Sequence, residues 1–164
     1  MNLVQQGSAE AYSVLFDRHR APLYGFILRM TRDREAASDV FQETFLKVHR
    51  ARGTWSGEDA SFRSWLYRIA TNAVRDRARQ TERRRETLTA EDIVVPSHDH
   101  PAERVMLERA MAELAEPLRE AFLLGVVHGL DHNELAAALA VTPDNARARV
   151  SRARARLREL LEGS

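Results

Sequence analysis

The stretch 141–161 constrains the fold most, because its apolar residues repeat at helical spacing. They recur at intervals of four and three, which predicts one buried stripe along a helix. The stripe consists of Ala146, Val150, Ala153, Leu157 and Leu161. Thr142 is a favourable N-cap and Pro143 a favourable first helical residue, so the helix is expected to begin abruptly.

Arginines flank this stripe on both sides, and short side chains lie between the flanks. Arg147, Arg154 and Arg158 form one flank, and Arg149, Arg152 and Arg156 form the other. The outward face holds Asp144, Ala148, Ser151 and Ala155. A helix that enters a DNA groove needs short side chains towards the bases and cations towards the phosphates, and this pattern supplies both. The candidate DNA contacts near its N-terminus are Asp144, Asn145, Arg147, Arg149, Ser151 and Arg152.

A second short helix precedes it and completes a helix-turn-helix pattern. Asp131 followed by Glu134 resembles a capping box, with aspartate in place of serine or threonine. Helix, tight turn and arginine-flanked helix are together typical of a DNA-binding helix-turn-helix. The alternative is a plain helical hairpin with a solvated basic face.

Helical periodicity extends over most of the chain and predicts an all-α protein of two small domains. We expect helices near 8–20, 22–31, 34–50, 61–84, 102–115, 117–128, 131–139 and 143–162. Proline, polar residues and lost periodicity indicate a flexible linker at 86–101. The expected domains are therefore 1–85 and 102–164.

Composition narrows the function classes. The net charge of +1 over 164 residues excludes a generic polycation, so the basic patches are local. Without cysteine there are no disulfides or thiolate metal sites, and no stretch is as long and apolar as a membrane span. We expect a soluble, intracellular protein.

Four histidines, His98, His100, His128 and His132, do not complete a familiar metal set, and no catalytic motif stands out. We therefore expect neither enzymatic activity nor a cofactor.

The helix predicted at 61–84 carries a second cationic surface. Arg68, Asn72, Arg75 and Arg79 fall at spacings of four, three and four, on one exposed stripe. The loop 51–60 just before it contains Arg52 and Trp55. Cations beside an aromatic side chain fit single-stranded or melted DNA, whose bases need a stacking surface. The alternative is that Trp55 covers the core and the arginines are merely solvated.

The helix predicted at 34–50 has a different outward face. Carboxylates there surround one leucine, the face being Glu35, Asp39, Gln42, Glu43 and Leu46. An apolar residue within a charged surround indicates a protein-docking surface. A single exposed leucine is also common without any function.

Four motifs in order resemble the extracytoplasmic-function class of bacterial sigma factors. LFDRHRAPLY at 15–24 resembles its opening helix, and DREAASDVFQETFL at 33–46 its region 2.2. SFRSWLYRIATN at 61–72 resembles regions 2.3 and 2.4, and 119–160 resembles region 4. The chain departs from the family where Asp144, Asn145 and Ala146 replace a common Gly-Thr-Val, which affects the expected promoter sequence more than the activity.

The resemblance implies a role for each surface. Asp39, Gln42, Glu43 and Leu46 would face the clamp helices of the largest subunit of core RNA polymerase. The loop 52–60 and the stripe on 68–79 would engage the −10 promoter element as it melts, and the last helix would read the −35 element as duplex. The resemblance also implies an anti-sigma protein as a regulatory partner. Two alternatives remain at this stage: a two-domain DNA-binding regulator that acts without polymerase, and an inhibitor that only mimics a sigma factor.

Overall fold

The computed structural model describes Gln6 and residues 8–55, 61–85 and 102–163, and over these residues it contains helices and no strand. The first three helices are α1 (Ala9–Thr31), α2 (Arg34–Ala51) and α3 (Phe62–Arg85). Four more follow: α4 (Ala102–Glu113), α5 (Glu116–Phe122), α6 (His132–Leu139) and α7 (Pro143–Glu162). A 3₁₀ turn at Arg52–Thr54 follows α2, and a π-helical turn at Leu123–Val127 follows α5. The all-α prediction is confirmed.

Helices α1, α2 and α3 pack together around an aromatic and aliphatic core. Each of the first two begins at a capping side chain, because the Ser8 hydroxyl accepts from the Ala11 amide and the Asp33 carboxylate from the Ala36 amide, at 3.2 and 2.6 Å. The fully buried side chains include Leu23, Phe26, Ile27, Val40, Val48 and Leu66. On α2 the buried side chains are Ala37, Val40, Thr44, Phe45 and Val48, and Phe41 is partly buried against the core.

The predicted break near residue 21 is wrong, because α1 runs through Pro22 without interruption. A proline inside a helix removes one backbone hydrogen bond and costs about 3 kcal/mol. Leu23, Phe26 and Ile27, all fully buried, follow directly on the same helix. Burial of each such side chain is worth about 1.5–3 kcal/mol, which outweighs the local cost. Pro22 itself is exposed, where water can solvate the unpaired carbonyl.

Helices α6 and α7 form the predicted helix-turn-helix. The Asp131 carboxylate caps α6 and the Glu134 side chain accepts from the Asp131 amide, so the capping box is present. Ala140 ends α6 with a φ of 54°, and the Thr142 hydroxyl then caps α7 by accepting from the Asn145 amide at 3.2 Å. The apolar stripe of α7 is buried up to Leu157.

Leu161 is 36% exposed, so its predicted burial is wrong. It lies on the last turn of α7, at an open groove of about 450 Å³ that Leu107, Phe122 and Leu157 also line. The helical spacing of Leu161 is correct, but α7 there has reached the edge of its neighbours.

The helix predicted at 117–128 ends at Phe122, and a π-helical turn replaces its last part. Gly125 lies in this turn against the helix-turn-helix core. A Cβ atom on Gly125 would lie 3.2 Å from side-chain carbons of both Leu135 and Val150. The absence of a side chain therefore allows this turn to approach α6 and α7 closely.

The N-terminal and C-terminal helices also pack on one another, chiefly through α3 and α6. The Arg63 guanidinium lies 2.6 Å from the Glu134 carboxylate, and Arg29 lies 3.0 Å from Glu108. The predicted linker at 86–101 lies outside the described residues, so the domain boundaries stay a prediction. The described helices nevertheless bury a continuous set of apolar side chains.

Candidate nucleic-acid interface and docking face

The predicted cationic stripe lies along α3, but its members differ in their surroundings. Arg68, Asn72 and Arg79 are exposed, and Arg79 pairs with Asp76 on the preceding turn. Arg75 instead points at α5, where its Nε and Nη2 atoms donate to the two carboxylate oxygens of Glu120 at 2.8 and 2.5 Å. Three residues of the stripe are thus open to solvent, and the fourth is held by the other half of the molecule.

The two predicted contacts upstream of α3 lie at its entrance. Arg52 donates to the His49 carbonyl at 2.5 Å, which holds its side chain against the end of α2. Trp55 is partly buried, and its ring meets Phe62 edge-on with centroids 6.2 Å apart. Trp55 therefore contacts Phe62 with one part of its ring and keeps another part accessible. The rest of the loop, 56–60, lies outside the described residues.

The N-terminal turns of α7 present the predicted −35 residues together on its outward surface. Asp144 pairs with Arg147 at 3.0 Å, and the Asn145 amide oxygen accepts from Arg149 Nε at 2.9 Å. Ser151 and Arg152 are exposed one to two turns further on. Asp144 also lies in the first turn, where a carboxylate is favoured by the helix dipole. Five of the six residues are exposed, and Arg149 is partly buried.

The predicted docking face of α2 is exposed. Leu46 is 55% exposed, and Gln42 beside it is exposed as well. Around them, Glu43 pairs with Lys47 at 2.7 Å, and Asp39 lies 3.4 Å from Arg77 on α3. The face therefore combines an accessible apolar side chain with carboxylates. One of these carboxylates pairs with a lysine, and the other lies at the longer distance of 3.4 Å from an arginine.

A set of residues that the sequence analysis missed joins the two halves of the molecule. Arg63 donates to the Gly129 carbonyl at 3.0 Å as well as to Glu134, and Ser61 donates to Glu134 at 2.7 Å. The Tyr67 hydroxyl lies 3.1 Å from His128 Nδ1. Glu120 had a weak local signal, because it is the carboxylate that directly precedes the apolar run 121–127. The other contacts join residues more than sixty positions apart and leave no local signal.

Burial shifts the pKa values of the ionisable groups at this junction. It raises the pKa of Glu120, an effect that the hydrogen bonds from Arg75 oppose. Burial, reinforced by the nearby charges of Arg29 and Arg63, lowers the pKa of His128 to about 4. Burial also raises the pKa of Tyr67 to about 12. At neutral pH His128 is therefore uncharged and packs as an aromatic ring against Phe26.

Among the described residues no group of three histidines, cysteines or carboxylates could hold a metal ion. Two of the four histidines considered, His98 and His100, lie outside the described part. No helix in that same part is long and apolar enough to cross a membrane.

Comparison with known protein families shows to which family the chain that carries these surfaces belongs. Residues 15–84 match the Sigma-70 region 2 family, and residues 104–157 match the Sigma-70 region 4 family. The chain belongs to the extracytoplasmic-function sigma factors. RNA polymerase sigma factor CarQ of Myxococcus xanthus is 35% identical to this sigma factor over 98% of the chain and 95% of the relative. ECF RNA polymerase sigma factor SigM of Mycobacterium tuberculosis is 34% identical over 94% and 79%.

Solved structures agree with this assignment. CnrH, in complex with the cytosolic domain of CnrY, matches with a TM-score of 0.77 and 27% identity, over 99% of this chain and 95% of that one. The sigma factor RpoE of Bartonella quintana, in complex with the anti-sigma factor NepR, shares the fold at a TM-score of 0.82 and 22% identity, over 94% and 98%. The sigma factor is therefore a transcription initiation factor that binds core RNA polymerase and directs it to promoters.

Proposed function

We propose that this sigma factor binds core polymerase through the α2 face. The residues of this face are Asp39, Gln42, Glu43 and Leu46, and their partner is the clamp-helix coiled coil of the largest polymerase subunit. The 55% exposure of Leu46 beside two carboxylates carries this proposal. An apolar anchor within a polar rim is the common anatomy of a protein interface.

The α3 stripe and its entrance capture the −10 element. Arg68, Asn72 and Arg79 are exposed along one line, which supports contact with a single strand. The accessible part of the Trp55 ring would stack on a base, and Arg52 of the preceding 3₁₀ turn adds a cation. Arg75 completes the line once it leaves Glu120. The proposal assigns strand capture to the chain and the chemistry of RNA synthesis to the polymerase, so this sigma factor needs no catalytic residues or cofactor.

The outward surface of α7 reads the −35 element. Asp144, Asn145, Ser151 and the arginines beside them lie at the N-terminal part of a recognition helix, where helix-turn-helix proteins contact base edges. The Arg149–Asn145 hydrogen bond supports a fixed arginine geometry, which suits bidentate contact with guanine. Asp144 would accept from cytosine or disfavour a nearby phosphate.

Regulation and location follow from the family. The Bartonella relative was solved with an anti-sigma factor, and we expect this chain to have such a partner too. Since polymerase and promoter are cytoplasmic, the protein would act in the cytoplasm.

Run-off transcription with core polymerase and a genomic DNA library tests the function directly. We expect specific transcripts only when the protein is added. Arg68→Glu with Arg79→Glu should reduce promoter opening at least tenfold while polymerase affinity stays within twofold. DNA binding without any polymerase association would instead favour a regulator that acts alone.

A further inference from the structure

Asn145 lies near the start of α7, where both its backbone and its side chain are held in place. Its backbone N–H donates to the Thr142 hydroxyl at 3.2 Å, so the N-cap fixes its position on the helix. Its side-chain oxygen Oδ1 accepts from Arg149 Nε, four positions further along the same helix, at 2.9 Å. Asn145 is exposed, so DNA can reach the part of the amide that Arg149 does not contact.

Arg149 is held by the interior of the C-terminal half as well as by Asn145. Its side chain is partly buried, whereas Arg147 on the same helix is exposed. Its charge also interacts with the buried carboxylate of Glu120 on α5. A polar pair at the surface loses much of its benefit to the entropy of ordering two long side chains, and a partly buried partner reduces that loss. The Arg149–Asn145 hydrogen bond is therefore better fixed than the exposed pair of Arg147 with Asp144.

This hydrogen bond determines which way round the Asn145 amide is oriented. Arginine has donors and no acceptor, so the atom that faces Arg149 Nε is the amide oxygen and not the NH2 group. The NH2 group, Nδ2, takes the other position of the amide and is left for DNA. It carries two donors and no acceptor. Asn145 therefore presents donors to a base edge, while its acceptor is used within the helix.

Donors alone discriminate between base edges in the major groove. Guanine presents two acceptors there, O6 and N7, whereas cytosine presents the N4 amino donor. Adenine presents one acceptor beside its N6 amino group, and its usual bidentate contact with asparagine requires the amide oxygen as well. In Asn145 this oxygen already accepts from a cation, and an adenine amino group would have to approach it beside that donor. Guanine is thus the best partner and cytosine the worst.

We propose that Asn145 is a specificity-determining residue of the −35 surface, which selects a guanine through its NH2 group, and that Arg149 is the positioning residue that orients this amide. The inference rests on the proposed −35 role of α7. The positioning role occupies only Nε of Arg149, so its Nη1 and Nη2 groups keep their own DNA contact. Exchange of the Nδ2 donor for an acceptor should reverse the choice of base.

The variant Asn145→Asp tests the proposal, because it replaces Nδ2 by an oxygen of similar size and keeps an acceptor for Arg149. It is assayed as the holoenzyme with core polymerase, on a promoter from the genomic run-off assay whose −35 hexamer is randomised, and the transcripts are sequenced. We expect one position at which the wild type prefers guanine to cytosine by about tenfold and Asn145→Asp prefers cytosine on the same strand.

The matched control is Asn133→Asp, which adds the same charge to the exposed surface of α6. It should change the total output without changing the base preference at any position. A reversal in both variants would overturn the proposal, because added charge and not the lost donor would then be the cause.

Two further measurements leave Asn145 unchanged. Replacement of the preferred guanine by 7-deazaguanine removes the N7 acceptor and keeps base pairing, so transcription by the wild type should fall by about fivefold. Arg149→Met releases the amide oxygen of Asn145, so adenine should gain relative to guanine at this one position. A merely structural role of Arg149 would instead lower the output for all four bases by the same factor, and that result would overturn the positioning role.

The remaining outcomes separate this inference from the function beneath it. An unchanged base preference in Asn145→Asp would overturn the proposal, and so would full tolerance of 7-deazaguanine by the wild type, whether or not the variant folds. A holoenzyme that starts transcription with no preference anywhere in the −35 hexamer would refute the −35 role of α7 and this inference with it. The absence of specific transcripts with polymerase present would refute the proposed function itself.

Discussion

Truncation of Leu46 measures the proposed polymerase contact. Complete burial of a leucine side chain is worth about 1.5–3 kcal/mol. Since 55% of Leu46 is still exposed, docking can add about half of this, or about 0.8–1.6 kcal/mol. We therefore expect Leu46→Ala to raise the dissociation constant for core polymerase by about 4- to 15-fold.

The matched control is Val14→Ala. Val14 is 61% exposed on α1, so it has similar accessible apolar surface but lies outside the docking face. We expect this variant to bind within twofold of the wild type. Both substitutions remove surface methyl groups, and neither should move the thermal midpoint by more than about 2 °C.

Fluorescence anisotropy of a protein labelled at Glu162→Cys, titrated with core polymerase, gives the affinities. About 0.3 M salt reduces non-specific attraction between exposed charges, since the Debye length is then below about 8 Å. An unchanged dissociation constant for Leu46→Ala would refute the docking proposal. An equal loss for Val14→Ala would show that the effect is not specific to the α2 face.

Three further predictions concern stability. The pKa of His128 is lowered to about 4 in the folded protein, so the unfolded chain binds a proton there first as the pH falls. The free energy of unfolding should therefore fall by about 2 kcal/mol between pH 6.5 and 4. Urea denaturation should show a smaller fall for the variant His128→Gln. Gly125→Val should cost about 2 kcal/mol through overpacking, whereas Gly53→Val, with nothing within 4 Å of its Cβ position, should cost under 1 kcal/mol in the same assay. Asp131→Ala should cost about 1 kcal/mol through the lost capping box, and Asp131→Ser should restore most of it; equal losses would argue against the cap.

Much of the fold was predictable from the local sequence, because helical spacing and capping depend on residues that are close together in the chain. The caps at Asp131 and Thr142 depend on residues within one turn. The break at Pro22 was wrong because the local cost of proline was weighed without the buried side chains that follow it. The turn at Leu123–Val127 was missed for the same reason, since its shape depends on packing against distant helices.

The candidate surfaces were predictable to a different degree. Helical spacing alone placed Arg68, Asn72, Arg75 and Arg79 on one side of α3. It could not show that Arg75 faces Glu120, since forty-five positions separate the two residues in sequence. The role of each surface remains a proposal, because exposure and charge describe what a face can bind but not what it meets.

The helix-turn-helix divides its tasks between its two helices. α6 packs against α3, while α7 buries only its inner stripe and turns Asp144, Ala148 and Ser151 outward. Substitutions at these three positions leave both the apolar interior and the junction between the halves untouched. On the proposed −35 role of α7, exchanges at these positions would alter the set of target genes at almost no thermodynamic penalty to the scaffold.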